Sequence, residues 1–346
     1  MRVLLTGHQG YIGTVLADML RSAGHDVRGL DIGLFADAWC GPEKADPEGI
    51  RADVRDSDIA HCADTDAVIH LAALSNDPSG ALRPRLTEEI NFRATLRLAT
   101  AAKAAGVERF LFSSSCSIYG SGSDAPRTED DEVAPLTEYA QSKIQSEEAL
   151  GELASPTFAP TYLRNATAYG FSPRLRTDLV VNDLTATAFA TGRILLKSDG
   201  TAWRPLIHVE DIAHAFTVLL DAPTELITHR AYNVGIDEEN YLVRDVAQIV
   251  QEEIPGSRLE FESGASADRR SYRVDFGRLA REVPAFRPRW TVRKGVQHLA
   301  EMFTAHGIPS DRLLGPDYRR LNTLQASVAA GEVTPDFRVR HTEDAR

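Results

Sequence analysis

The chain opens on an apolar run, Arg2 to Thr6 (RVLLT), that leads directly into Gly7-His8-Gln9-Gly10-Tyr11-Ile12-Gly13. A helix-like stretch from Thr14 to Ala23 follows. This order reads as strand, glycine turn, helix. Gly7, Gly10 and Gly13 let the backbone turn tightly and come close to a pyrophosphate seated at the positive end of the helix. A glycine pattern alone is a weak signal, but here it has the flanking strand and helix that give it meaning.

The alternation continues. Val27 to Leu30 is the next apolar strand, and it ends on Asp31. A carboxylate there accepts hydrogen bonds from ribose hydroxyls and repels a 2′-phosphate, which favours NAD over NADP; the plain alternative is a solvated turn residue. Ile50–Val54 and Ala67–Leu71 read as further strands, Leu86–Ala105 as a long helix, Val107–Phe112 as a strand, Thr137–Leu153 as a helix and Phe158–Leu163 as a strand. Such a pattern predicts an α/β chain, a Rossmann-type doubly wound parallel sheet. After Leu163 the character changes. Arg164–Asp178 is rich in turn residues and charges, and later elements interleave between two lobes. The expected division is a dinucleotide-binding domain over 1–165, rejoined by segments near 193–212 and 230–236, and a smaller C-terminal substrate-binding lobe over 166–325. Residues 326–346 are charged and without periodicity, and are expected to fray.

Two features toward the middle belong together chemically. Ser113-Ser114-Ser115 closes an apolar run, and Tyr139 is followed four residues later by Lys143. Positions four apart share a helix face. An ammonium beside a phenol favours the phenolate, so such a tyrosine can take a proton from an alcohol and return it. Ser115 can hold the same oxygen. Taken alone, a Tyr-x-x-x-Lys spacing also describes an ordinary surface pair.

Bulk properties narrow the field. The chain has 346 residues, 43% of them hydrophobic, enough for a sizeable core and a second lobe. A net charge of −12 argues against a nucleic-acid backbone as partner. Cys40, Cys62 and Cys116 have no metal-like spacing, so no metal is expected. No signal peptide and no bilayer-length apolar run is seen, and a cytoplasmic setting is expected.

The order and spacing of TGHQGYIG at Thr6–Gly13, Asp31, Asp53-Val54, HLAA at His70–Ala73, SSSCSIYG at Ser113–Gly120 and YAQSK at Tyr139–Lys143 resemble the extended short-chain dehydrogenase/reductase family, over Met1 to about Phe303. Its members are nucleotide-sugar epimerases, dehydratases and reductases. The resemblance implies NAD as cofactor, bound by Gly7, Gly10, Tyr11, Ile12, Gly13, Asp31, Asp53, Val54, Leu71, Ala72, Ala73, Asn91, Ser113, Tyr139 and Lys143. It implies Ser115, Tyr139 and Lys143 as the catalytic set. For a nucleotide-diphosphate sugar it implies Ser75, Asn76, Asn165, Thr167, Asn182, Arg204 and Arg270 as contacts, with Arg269 an alternative to Arg270. Ser75-Asn76-Asp77-Pro78 equally describes a turn, and the two arginines a solvated pair. The resemblance further implies a homodimer through the two long helices.

Cys116 and Ser117 depart from the pattern. The family's 4,6-dehydratases carry an acidic pair there for loss of water, and a neutral thiol and hydroxyl are poor substitutes. The expected reaction is therefore C4 epimerisation through a transient 4-keto sugar. A 4-ketoreductase, or a 3- or 5-epimerase using Cys116, are the alternatives within enzymes, and a silent NAD-binding scaffold lies outside them. Cys116 also reads simply as a buried small residue. His8 replaces the usual small residue of the phosphate turn, and the sequence leaves its role open.

Overall fold

The strands of the first half bury both faces, and their residues alternate accordingly. Leu5, Ile69 and Leu111 enter one core, while their neighbours Leu4, Val68 and Phe110 enter another on the opposite side of the sheet. A parallel sheet covered on both faces requires this pattern. The computed structural model describes residues 1–35, 38–42, 47–75, 83–121, 125–262 and 270–340.

Seven parallel strands form the central sheet: β1 (Arg2–Thr6), β2 (Asp26–Asp31), β3 (Gly49–Arg51), β4 (Ala67–His70), β5 (Arg109–Ser115), β6 (Ala159–Asn165) and β10 (Arg230–Val234). Their order is β10-β6-β5-β4-β1-β2-β3. The chain thus runs outward one way from β1 to β3 and the other way from β4, which makes the gap between β1 and β4 the topological switch point. Ligands of doubly wound sheets bind there, beyond the carboxyl ends of the strands. Helices α1 (Tyr11–Ser22) and, later in the chain, Val209–Leu220 cover one face; α2 (Ala94–Ala104) and α3 (Glu138–Leu153) cover the other. The Rossmann-type expectation holds.

Three local details differ from the sequence reading. The strand expected to reach Val54 stops at Arg51, because the Asp53 carboxylate accepts the Arg55 N–H at 2.9 Å and starts a short 3₁₀ turn over Val54–Asp56. The long helix begins as Pro84–Thr87 and passes through a π-helical turn, Glu88–Arg93, before α2. α3 begins at Glu138 rather than at Thr137, which instead caps it by accepting the Ala140 N–H at 3.2 Å.

The second lobe is built from β7 (Thr167–Tyr169), β8 (Arg193–Leu196), β9 (Trp203–His208), β11 (Asn240–Leu242) and β12 (Arg258–Phe261). β9 lies between β7 and β11 in one small sheet, and β8 pairs with β12 in another. Helices α4 (Val180–Thr191), α5 (Val209–Leu220), α6 (Val243–Glu253) and α7 (Val292–Ala305) follow in chain order. Of these, α4, α6 and α7 share a core through Leu184, Val250 and Val296, whereas α5 packs on the large sheet through Ile212 and Phe216. The segment 193–212, expected to rejoin the first domain, divides between the two cores. Strand β8 packs in the second lobe and β9 lies between the two cores, Leu206 facing one and Ile207 the other, while α5, β10 and the later Val274, Phe276 and Leu279 pack with the first domain.

The charged tail is corrected as well. Helix α8 (Arg320–Ala329) runs past residue 326, and Val333 then bridges Val339. Leu324, Val333 and Phe337 are buried together against Leu74. Arg338 pairs with Asp56 at 2.5 Å, and Arg55 donates to the Asp336 carbonyl at 2.9 Å. Leu321, Leu324 and Val328 stand at helical spacing, but the run is short, and Val333 and Phe337 follow among charges with no periodicity. Residues 341–346 lie outside the described ones.

Candidate active site

A cavity of about 750 Å³ opens at the switch point and extends between the lobes. Its floor is the glycine turn. Gly7 has φ of +73°, and a Cβ there would sit 2.8 Å from the Ala72 nitrogen; a Cβ on Gly13 would meet the Gly7 carbonyl oxygen at 2.1 Å. Only glycine lets the turn, the first turn of α1 and the loop after β4 approach this closely. The N-cap of α1, Gly10, has no side chain to satisfy the helix N–H groups, and no acid stands in the first turn, so this helix end is open to an anion. Asp31 ends β2 at the rim, its two oxygens accepting Gln9 N–H at 3.1 Å and Gly33 N–H at 2.8 Å. Asp53 is held by the Arg55 guanidinium at 2.6 Å.

The carboxyl end of β5 and the first turn of α3 supply the opposite wall. Lys143 is buried, and its Nζ donates to the Ser113 carbonyl at 2.7 Å. It lies 5.6 Å from the centre of the Tyr139 ring and 4.5 Å from that of Phe112. Burial pushes the Lys143 ammonium down to about 7, with Glu147 opposing the shift. Ser115 caps the following turn by accepting Ser117 N–H at 3.2 Å, which aims this strand end into the cavity.

Behind this wall stands a network that the sequence reading did not single out. Glu147, one turn beyond Lys143, accepts from Ser114 Oγ at 2.5 Å and from Arg164 Nη2 at 2.7 Å. His70 is buried between Thr6 Oγ1 at 2.6 Å and Thr95 Oγ1 at 2.8 Å. Burial, aided by Lys143, pushes it down to about 3, so it stays neutral.

The cavity brings together Gly7, Gly10, Tyr11, Ile12, Gly13, Asp31, Asp53, Val54, Leu71, Ala72, Ala73, Ser75, Ser113, Ser115, Ser117, Tyr139, Lys143, Asn165, Thr167, Arg204 and Arg270. Three candidates stand elsewhere. Asn91 clamps the loop after β4, accepting Leu74 N–H at 2.8 Å and donating to Leu74 O at 3.2 Å and Ser142 Oγ at 3.2 Å. Asn182 is spent on Gly170 N–H at 2.8 Å and the Arg176 carbonyl at 2.8 Å. The Cys116 thiol lies in the core and donates to the Arg164 carbonyl at 3.0 Å; burial raises its pKa well above the ordinary thiol value. Ser117, by contrast, lines the cavity with a buried hydroxyl that has no protein partner. His8 turns away from the phosphate turn and fills the space over Gly29 and Gly49. Asn76 and Arg269 lie outside the described residues.

Sequence reasoning missed Arg176, Asp178 and Arg320, which also line the cavity. Arg176 pairs with Asp178 at 2.9 Å and reaches Ser75 Oγ at 3.3 Å. Its spacing from Asp178, within the polar loop Arg164–Asp178, was the available signal.

The model of the NAD dependent epimerase/dehydratase family matches residues 3–235. The chain belongs to that family. Among curated relatives of this epimerase/dehydratase chain is the UDP-glucose 4-epimerase of Corynebacterium glutamicum, 31% identical over 267 residues, covering 73% of this chain and 80% of the relative. The UDP-glucose 4-epimerase of Mycolicibacterium smegmatis is 30% identical over 318 residues, covering 88% and 98%. Among solved structures, MoeE5 in complex with UDP-glucuronic acid and NAD superimposes with a TM-score of 0.76 at 28% identity, over 88% of this chain and 99% of that one. The family member described here is thus an NAD-dependent enzyme of the extended short-chain type. Its residues fit the cofactor: a glycine cradle that a single Cβ would fill, an uncapped helix N-terminus and a rim carboxylate. No helix among the described residues is long and apolar enough to cross a membrane.

Proposed function

We propose that this enzyme inverts C4 of a nucleotide-diphosphate sugar through a transient 4-keto sugar. The observation that carries the reading is the pairing of Tyr139 and Lys143 at one end of the cavity, with no carboxylate at the neighbouring Cys116 and Ser117. Tyr139 takes the proton of the C4 hydroxyl and later returns it. The Lys143 ammonium stabilises the phenolate, and Ser115 donates to the C4 oxygen as charge grows there. Bound NAD supplies the hydride acceptor and donor at C4. The family's route of water loss needs an acid and a base beside the sugar; the Cys116 thiol faces the core instead, and Ser117 offers only a hydroxyl. Two curated relatives are UDP-glucose 4-epimerases, and Arg204 and Arg270, which line the same cavity, suit a sugar diphosphate by charge and shape.

The test is turnover of UDP-glucose by Tyr139→Phe. General acid–base catalysis is worth about a hundredfold to ten-thousandfold, so the variant should lose activity on that scale while still binding UDP. Near-normal turnover would remove Tyr139 from the scheme. A homodimer through the α2 and α3 faces belongs to the same reading, and light scattering of the purified protein checks it; a monomer at assay concentration would count against it.

A further inference from the structure

Arg320 begins α8 and is 4% exposed, yet its Nη1 has no hydrogen-bond partner. A buried guanidinium carries five N–H donors and a fixed charge, and leaving part of it unmatched is costly. Its other contacts are weak ones: Nη2 donates to the Arg174 carbonyl at 3.3 Å, and the guanidinium lies 4.2 Å from the centre of the Phe35 ring. Arg174 and Arg176 repel it, while Asp178 and Asp31 attract it. Burial and that repulsion prevail, and Arg320 is pushed down to about 9. The geometry is that of a cation site waiting for an anion.

Its place in the cavity says which anion. Ser172 Oγ donates to the carbonyl of Tyr11 in the phosphate turn at 2.8 Å, and Arg174 N–H donates to Ser172 Oγ at 3.2 Å. Arg320 then bonds the Arg174 carbonyl, so a short chain of hydrogen bonds joins it to the first turn of α1. On its other side Asp31, the ribose carboxylate, acts on it electrostatically. The group of a dinucleotide lying between the adenosine ribose and the helix N-terminus is the diphosphate.

We propose that Arg320 is a direct ligand of the NAD diphosphate, and that the segment carrying it, residues 320–340, is a strap closed over the adenosine half of the cleft. Phe337 lines the same cavity. Leu324, Val333 and Phe337 anchor the strap on Leu74, which belongs to the loop after β4. Arg338 reaches Asp56 at 2.5 Å and Asp53 at 3.6 Å, tying the strap to the turn after β3. NAD then exchanges only when the strap lifts.

Arg320→Gln separates this role from a merely structural one through ligand chemistry. Binding of NAD, ADP-ribose, adenosine and UDP to cofactor-free protein is measured by calorimetry, and NAD release from loaded protein by stopped flow. A charge-assisted phosphate contact is worth about tenfold or more in affinity. NAD and ADP-ribose should weaken by that factor and NAD should leave faster, while adenosine and UDP keep their affinities. Equal weakening of adenosine and NAD would mean a general disturbance and overturn the proposal. Weakening of UDP alone would assign Arg320 to the substrate, and no weakening would also overturn it. If Arg320→Gln does not fold, Arg320→Lys carries the same comparison, because an ammonium keeps the charge but loses the bidentate fork.

Discussion

Cys116 and Ser117 are neighbours with opposite surroundings. The 3₁₀ turn that Ser115 caps points one side chain into the core and the next into the cavity. The Cys116 thiol is held in the core against the Arg164 carbonyl, and burial raises its pKa, which argues against an acid or base role. Cys116→Ala should therefore leave turnover of UDP-glucose within a few-fold of the parent, read by a steady-state assay. A fall of several orders of magnitude would restore it as a catalytic group and favour epimerisation at C3 or C5. At this scale much of the site was legible, because Tyr139, Lys143, Ser115, Asp31 and the three glycines are chemically distinctive at short spacings. Asn91 and Asn182 clamp loops in the structure, and an amide that clamps a loop and one that binds a ligand look alike in sequence. Only the fold shows that Asn91 is bonded to Leu74 and Ser142, and Asn182 to Gly170 and Arg176.

Helix α3 carries a graded series along one face: Tyr139 half-buried at the cavity, Lys143 fully buried, and Glu147 behind it with Arg164. The lowered Lys143 value has a consequence for stability. An unfolded lysine titrates near 10.5, and the folded one near 7. Between those values the unfolded chain binds more protons, so stability rises with pH across the window. The contribution is fully present above about pH 10.5 and is lost as pH falls toward 7, with a slope of up to about 1.4 kcal/mol per pH unit. In cofactor-free protein, the stability of the parent relative to Lys143→Met should therefore increase from pH 7 to pH 9, measured by urea unfolding. A difference that stays flat, or falls, would contradict a desolvated lysine. The strand–turn–helix order and the alternation that follows made these elements readable in advance. Residues 320–340 were not, because the helical run Leu321, Leu324, Val328 is short and the buried Val333 and Phe337 that follow it have no periodicity.

The cavity lies where the two lobes and the C-terminal segment meet. The switch point of the sheet supplies the glycine floor, β5 and α3 bring Ser115, Tyr139 and Lys143, and the second lobe brings Arg176, Arg204 and Arg270 to one cavity. Such convergence is invisible to local spacing, which is why Arg176 and Arg320 escaped notice while the glycine turn did not. The division of labour predicts a reaction confined to C4, with the carbon-bound hydrogen leaving the sugar and returning to it without meeting solvent. Incubation with UDP-glucose in deuterated water, followed by NMR of the sugar, tests this most directly. The product should be the C4 epimer with no deuterium on any carbon. Deuterium at C3 or C5, or a product lighter by one water, would contradict it.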